Sequence, residues 1–141
     1  IQRVIPHYQM GASIRMWRDF FPNAMVYGAD WANGAVFKDE RIETFFCDEM
    51  NKEDVTALIN KVGTDIDLFI DDASHRVTPQ VTLCKTVMPL LKKDAIYIIE
   101  DCRHTRALRA QLSEYDFYIP TLPANGDQKM NDRLYIVSNQ K

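Results

Sequence analysis

The chain has 141 residues, of which 46% are apolar and 26% charged, and its formal net charge at pH 7 is -3. This balance indicates one globular domain over residues 1–141 and excludes a disordered or fibrous chain. The mild acidity, with Lys and Arg scattered, argues against an extended nucleic-acid partner, because such binding needs basic residues that neutralise phosphates.

The cysteines and the apolar runs indicate the cellular compartment. Cys47, Cys84 and Cys102 are widely spaced and form no CxxC pair, so neither a disulfide framework nor a zinc knuckle is expected. The apolar runs are short and no signal-peptide pattern opens the chain, so we expect a cytoplasmic protein with no membrane partner. Because the chain begins at Ile1 rather than Met, we expect a trimmed piece of something longer, and a homo-oligomer or a larger parent chain stays open.

Short β-rich runs alternate with longer amphipathic stretches. This order is typical of an α/β protein with a mostly parallel sheet. The predicted strands are Arg3–Ile5, Met25–Ala29, Ile42–Phe46, Leu68–Ile70 and Ala95–Ile99. The predicted helices are Ser13–Phe20, Lys52–Val62, Pro79–Leu91 and Arg103–Ser113.

Local chemistry supports several helix boundaries. Asn51 resembles an N-cap, and Thr78 offers a capping hydroxyl in front of a proline at the first helical position. Pro89 should kink or end the last turn of its helix, because it lacks an amide donor and its ring crowds the preceding turn.

The pattern changes after the fifth strand. Phe117–Ile119 and Arg133–Val137 are both strand-like, and a turn region from Pro120 to Asn131 joins them without room for a normal helix. Parallel neighbours need a helical crossover, so these last two strands are predicted to be antiparallel.

Acidic residues follow most of the predicted strands. Asp71 and Asp72 end the fourth, and Glu100 and Asp101 end the fifth. If these strands are neighbours, about 4.8 Å apart, the carboxylates converge at one sheet edge, where ligands bind in open α/β folds. Close carboxylates repel one another unless a proton or a cation intervenes, and oxygen ligands favour Mg, Mn or Ca. Helix caps and surface turns are the alternative reading of the same residues.

Four motifs together resemble a known family. They are Gly11 to Trp17 (GASIRMW), Val26 to Asp30 (VYGAD), Ile70 to His75 (IDDASH) and Tyr97 to Asp101 (YIIED). The chain resembles class I S-adenosylmethionine (SAM) dependent methyltransferases, and more narrowly the metal-dependent sugar O-methyltransferases of macrolide biosynthesis and the related cephalosporin hydroxylase and rhamnosyl O-methyltransferase group. The resemblance covers nearly the whole chain. It implies a Rossmann-like, seven-stranded, mostly parallel sheet flanked by helices, with the last strand antiparallel.

The resemblance also implies roles for individual residues. Gly11 and Ser13 would approach the methionine part of SAM, Asp30 would accept the ribose hydroxyls, and Asp48 would face the adenine amino group. Asp71 is grouped with these cofactor-binding residues. The resemblance further implies a cation site and a base. The Mg2+ ligands would be Asp72, Glu100 and Asp101, and the general base would be His75.

These roles suit methyl transfer to a hydroxyl group of a sugar or a glycosylated small molecule. A sugar hydroxyl is a poor nucleophile at neutral pH, whereas a bound cation lowers its pKa and an imidazole accepts its proton.

Two other functions stay open. In the family, the first strand usually runs into an acidic residue and a glycine, and these positions fall on Ile5 and His7. A methyltransferase-like module without cofactor binding, acting in structure or interaction, is therefore an alternative, and the family's N-terminal segment is expected to be absent. A methyltransferase for RNA ribose would need lysines at the strand ends, and the sequence has none there.

Overall fold

The computed structural model describes residues 10–120 and 133–139. Its helices are α1 (Ala12–Phe20), α2 (Lys52–Val62), α3 (Val77–Val87) and α4 (Thr105–Gln111). Its strands are β1 (Val26–Asp30), β2 (Lys38–Asp39), β3 (Ile42–Phe46), β4 (Leu68–Asp71), β5 (Ile96–Ile99), β6 (Asp116–Tyr118) and β7 (Tyr135–Ser138). The chain forms two compact units, residues 1–48 and 49–141. The predicted first strand, Arg3–Ile5, and nearly all of the loop from Pro120 to Asn131 lie outside the described residues.

The first unit contains a three-stranded sheet in the order β1-β3-β2. β1 is parallel to β3, with Val26 opposite Ile42 and Asp30 opposite Phe46. Helix α1 packs close to β1 at Gly28, where an added Cβ would lie 2.9 Å from Ile14 Cδ1. A side chain at position 28 would push the helix off the strand.

A tight turn at Glu40 and Arg41 joins β2 to β3, which run antiparallel. Arg41 has φ of 55°, in the left-handed region that is uncommon for a side chain of this size. Its guanidinium Nη1 donates to the carbonyl oxygens of Arg18, Phe21 and Ala24 at 3.0 to 3.1 Å. These bonds satisfy carbonyls at and after the end of α1 and hold the turn residue in place.

The second unit contains a four-stranded sheet in the order β4-β5-β7-β6. β4 and β5 are parallel, β5 and β7 are antiparallel, and β6 and β7 are antiparallel. The fully buried side chains of this unit come mainly from β5, β7, α3 and α4. They include Tyr97, Ile99, Val87, Leu108, Tyr135 and Val137.

Helix boundaries in this unit follow the cap chemistry in part. Asn51 accepts hydrogen bonds from the amides of Glu53 and Asp54, so the predicted N-cap is confirmed. The predicted cap at Thr78 is wrong, because α3 begins one residue earlier, at Val77, with Arg76 in the cap position. α3 ends at Val87 and a 3-10 turn covers Met88–Leu90, so Pro89 ends the α-helix as predicted.

The described strands correct the predicted sheet. A single, mostly parallel seven-stranded sheet is wrong for residues 10–120 and 133–139, which form two mixed sheets. Three of their five strand pairings are antiparallel, because β2 folds straight back on β3 and β7 returns between β5 and β6. The α/β class, the antiparallel last strand and the parallel β4 and β5 pair are confirmed.

Candidate metal site and its surroundings

The carboxyl ends of β4 and β5 bring two acidic pairs to one edge of the second unit. Asp71 pairs with Ile99, and the amide of Glu100 donates to the Asp71 carbonyl at 2.9 Å. Glu100 therefore follows its strand at the level where Asp72 follows the neighbouring strand. The strand adjacency on which the predicted convergence depended is present.

His75 lies between two of these carboxylates. Its Nε2 is 3.4 Å from Asp72 Oδ1 and its Nδ1 is 3.5 Å from Asp101 Oδ2. The side chain of His75 is 33% exposed, so a ligand can reach the ring from solvent. One donor atom from each of Asp72, His75 and Asp101 lies within 4.8 Å of the others.

Glu100 belongs to the same electrostatic cluster. Partial burial raises the pKa of its carboxyl, the charges of Asp72 and Asp101 raise that pKa further, and His75 lowers it. A cation bound between these carboxylates would relieve the repulsion that disfavours the charged form of Glu100.

Asp71 differs from its neighbour Asp72 because its side chain is only 3% exposed. Its Oδ1 accepts from the amide of Ala73 and its Oδ2 accepts from the hydroxyl of Tyr97, both at 3.3 Å. Burial raises the pKa of Asp71 to about 6, although these two hydrogen bonds lower it. A SAM contact by Asp71 stays a prediction.

The backbone after β5 is held in an uncommon conformation. Asp101 has φ of 48°, a left-handed value that Asp tolerates better than most side chains. The next amide, of Cys102, donates to the Arg133 carbonyl at 3.0 Å, and the Gln80 side-chain amide donates to the Glu100 carbonyl at 3.1 Å. These bonds fix the direction in which Glu100 and Asp101 leave the sheet.

Sequence reasoning missed two supporting side chains, Gln80 and Tyr97. Both are buried, with exposures of 2% and 0%, and each donates to one of the two acidic pairs. A buried polar residue in an otherwise apolar helix or strand is the sequence signal that could have found them, because such a group needs a partner.

Four residues of the first unit are predicted to contact the cofactor, and each lies near the end of a helix or strand. Gly11 has φ of 75° and precedes α1, and a Cβ there would lie 2.4 Å from Phe37 Cζ, so the position demands glycine on both counts. Ser13 is exposed in the first turn of α1. Asp30 ends β1, and its Oδ1 accepts from the Ala32 amide at 2.7 Å. Asp48 is exposed shortly after β3. Their roles toward SAM stay predictions.

The donor set of the second unit fits Mg2+. Two oxygens on opposite sides of one Mg2+ are about 4.2 Å apart, twice the usual Mg–O distance. One carboxylate oxygen of Asp72 and one of Asp101 lie within 4.8 Å of each other, which is close to that value. Asp72 and Asp101 supply hard oxygen donors, whereas imidazole is a poorer Mg2+ ligand. Glu100, the third predicted ligand, is not among the three residues whose donor atoms converge, so its role as a ligand stays a prediction. His75 is therefore better suited to proton transfer than to holding the ion.

Comparison with known proteins gives two kinds of relative, although no protein-family model matches the chain. Over 91 residues the chain is 34% identical to 8-demethyl-8-alpha-L-rhamnosyl tetracenomycin-C 2'-O-methyltransferase of Streptomyces olivaceus, a match over 64% of this chain and 24% of that protein. Mycinamicin VI 2''-O-methyltransferase of Micromonospora griseorubida is 32% identical, over 64% of this chain and 23% of its own length. The chain is similar to sugar O-methyltransferases, and the resemblance drawn from the motifs is confirmed. The chain spans about a quarter of the length of these relatives.

The solved structures confirm the fold. The MycE methyltransferase from the mycinamycin biosynthetic pathway, in complex with Mg and SAH, superposes with a TM-score of 0.69 at 21% identity, over 95% of this chain and 42% of that one. A SAM-dependent methyltransferase from Anabaena variabilis gives a TM-score of 0.62 at 10% identity, over 91% of this chain and 72% of that one. The described residues therefore have a methyltransferase-like α/β fold. No helix among them has both the length and the apolar character needed to cross a membrane.

Proposed function

We propose that this chain is a Mg2+- and SAM-dependent O-methyltransferase domain acting on a hydroxyl group of a sugar or a glycosylated small molecule. The observation that carries the proposal is the cluster of Asp72, His75 and Asp101 at the ends of β4 and β5, in a chain similar to sugar O-methyltransferases. Carboxylates converging on one imidazole supply both an ion site and a proton acceptor.

In the proposed reaction, Asp72, Glu100 and Asp101 would hold the ion. When bound, Mg2+ would act as a Lewis acid that lowers the pKa of the acceptor hydroxyl. SAM would supply the methyl group from its sulfonium, a reactive centre that the protein positions rather than creates. His75 would accept the hydroxyl proton during methyl transfer, and the demethylated cofactor would be the leaving group.

The surroundings of His75 suit a base. Asp101 faces Nδ1 and Asp72 faces Nε2, at 3.5 and 3.4 Å. A carboxylate on one ring nitrogen orients the imidazole and stabilises the imidazolium that forms when the other nitrogen accepts a proton. The partial exposure of the ring leaves an approach for the acceptor.

We further propose that the residues contacting SAM are Gly11, Ser13, Asp30 and Asp48. What supports this assignment is the glycine-dependent turn before α1 and the position of both aspartates at strand ends, where ligands bind in open α/β folds. Asp71 stays a predicted cofactor contact, and its carboxyl also accepts from the amide of Ala73 in the turn that carries Asp72.

Calorimetry on the full chain tests the proposal. SAM should bind at micromolar concentration, Mg2+ should bind, and Asp72→Ala should abolish Mg2+ binding. Asp94→Ala is the matched control, because Asp94 is exposed just before β5, at the opposite end of that strand. Absence of both SAM and Mg2+ binding in the unaltered chain contradicts the proposal.

A second candidate is a methyltransferase-like module without cofactor binding. The observation in its favour is the sequence before α1, where Ile5 and His7 occupy the acidic and first glycine positions of the usual loop. A melting temperature that does not change with SAM or its demethylated product, in a chain that stays folded, favours this module over the enzyme.

A further inference from the structure

A buried tyrosine stands behind the metal site and contacts it only through another residue. Tyr97 lies on β5 with 0% exposure, and its ring stacks on Phe69 of β4 at a centroid distance of 4.9 Å. The two residues are also paired in register across the two strands. The tyrosine ring is therefore fixed by packing before its hydroxyl makes any polar contact.

The hydroxyl of Tyr97 begins a chain of hydrogen bonds that ends at the metal site. It donates to Asp71 Oδ2, and Asp71 Oδ1 accepts from the amide of Ala73. The turn closed by that second bond contains Asp72, the proposed Mg2+ ligand. A side chain that bonds to the amide two residues onward fixes the residue between them. The orientation of Asp72 thus depends on where the Asp71 carboxyl is held.

The same residue is linked to the other acidic pair through its backbone. The carbonyl oxygen of Asp71 accepts from the amide of Glu100 at 2.9 Å. A displacement of the Asp71 backbone would therefore affect both sides of the proposed site.

We propose that Tyr97 is a positioning residue of the metal site, which acts by holding the Asp71 carboxyl and, through it, the turn that presents Asp72. The inference rests on the proposed function, because it assumes that the carboxylate cluster binds a divalent cation. Side chains that hydrogen-bond a metal ligand directly set its geometry, and their loss typically weakens metal binding 10- to 100-fold. Tyr97 acts through one further residue, so we expect the lower end of that range.

The chain contains a close control for this role. Tyr135 on β7 is equally buried, at 0% exposure, and its ring stacks on Phe117 at 5.2 Å. Its hydroxyl has no hydrogen-bond partner among the residues that the structure describes. Tyr97→Phe and Tyr135→Phe therefore remove the same atom from similar stacked, buried rings, but only the first removes a bond to the site.

The experiment is a Mn2+ titration of the full chain, followed by the electron paramagnetic resonance signal of the free ion. Mn2+ shares the oxygen ligands that suit Mg2+. Tyr97→Phe should weaken Mn2+ binding about 10-fold or more, while Tyr135→Phe should change it by less than about two-fold. The metal-free Tyr97→Phe chain should melt at a lower temperature than the unaltered one, because the buried Asp71 carboxyl loses a donor. A thermal melt should nevertheless show it fully folded at the temperature of the titration, which separates positioning from general loss of structure.

Asp71→Asn tests the same link from the other side. It should also weaken Mn2+ binding about 10-fold. The double variant with Tyr97→Phe should lose about as much Mn2+ affinity as either single variant, rather than about 100-fold. The losses should not multiply, because the two residues act through one series of hydrogen bonds. If Tyr97→Phe does not fold, Asp71→Asn alone decides, and unchanged affinity in that variant overturns the proposal.

Other outcomes are equally decisive. Unaltered Mn2+ affinity in folded Tyr97→Phe, an equal loss in Tyr135→Phe, or a multiplied loss in the double variant each overturns the positioning role and leaves the proposed function standing. Absence of Mn2+ binding in the unaltered chain overturns the metal site itself and this inference with it.

Discussion

The amide of Glu100 donates to the carbonyl oxygen of Asp71 at 2.9 Å, which continues the parallel pairing of β4 and β5 one residue past the last paired position. This single bond sets the two acidic pairs side by side. Asp72 and Glu100 then leave neighbouring strands at the same level, and Asp72 and Asp101 face opposite nitrogens of His75. The carboxylate cluster around His75 depends on that geometry.

Asp101→Asn should weaken Mg2+ or Mn2+ binding at least 10-fold with little change in stability. Asn tolerates the left-handed backbone of position 101 about as well as Asp does, so the substitution removes charge without adding strain. The measurement is calorimetric titration with Mg2+, beside a thermal melt in EDTA. Asp94→Asn carries the same change in charge away from the cluster and should bind as the unaltered chain does. Equal Mg2+ affinity in Asp101→Asn and Asp94→Asn would remove Asp101 from the proposed ligands.

His75→Gln should separate proton transfer from ion binding. If His75 is the base, methyl transfer should fall by about 10²-fold or more, while Mn2+ affinity changes by less than about three-fold because carboxylates hold the ion. Radiolabelled methyl transfer from SAM to a glycosylated acceptor gives the first value, and a Mn2+ titration gives the second. The control is His104→Gln, since His104 is exposed and makes no side-chain cap bond to α4. A large loss of Mn2+ affinity in His75→Gln would instead make His75 a ligand.

The sequence predicted those elements whose signals are local. β3 and α2 have the predicted bounds, because Ile, Thr and Phe favour a strand and the Asn51 cap marks the helix start. β2 was missed, since a two-residue strand has no periodicity and its turn uses Arg41 rather than Gly or Asn. The division into two mixed sheets was also missed, because strand partners depend on long-range packing that no local pattern contains.

In the candidate site, too, the sequence predicts strand-end positions but not long-range side-chain contacts. The approach of Asp72 to Asp101 could be predicted, because parallel neighbours place their carboxyl ends at one edge. The bond from Tyr97 to Asp71 could not, because it joins residues 26 positions apart and depends on register and side-chain direction together. The assignments to SAM through Gly11, Ser13, Asp30 and Asp48 stay predictions.

Gln80→Leu should lower the free energy of unfolding by about 1–3 kcal/mol, since the Glu100 carbonyl loses a buried donor. Gln80 is 2% exposed and donates to that carbonyl from α3 at 3.1 Å. Urea unfolding in EDTA measures the change. Gln111→Leu, at the exposed end of α4, should stay within about 0.5 kcal/mol. A Gln80→Leu chain as stable as the unaltered one would mean that the carbonyl finds another donor.

The stability of the metal-free chain should depend on pH through Asp71. Burial raises the pKa of its carboxyl from 3.8 to about 6 in the folded chain, so the folded state binds the proton more tightly than the unfolded state does. The contribution of this carboxyl to the free energy of unfolding is fully present below about pH 4 and is lost as the pH rises through about 6. A pKa shift of that size corresponds to about 3 kcal/mol of unfolding free energy.

Asp71→Asn removes this titration and keeps a side chain of nearly the same shape. Relative to the unaltered chain, the variant should gain up to about 3 kcal/mol of unfolding free energy between pH 4 and pH 7, less the hydrogen bonding that the charged carboxylate makes with Ala73 and Tyr97. Urea unfolding at several pH values in EDTA measures the difference between the two chains. A difference that does not change over this range would mean that the Asp71 carboxyl titrates alike in the folded and unfolded states, and that its burial does not disfavour the charge.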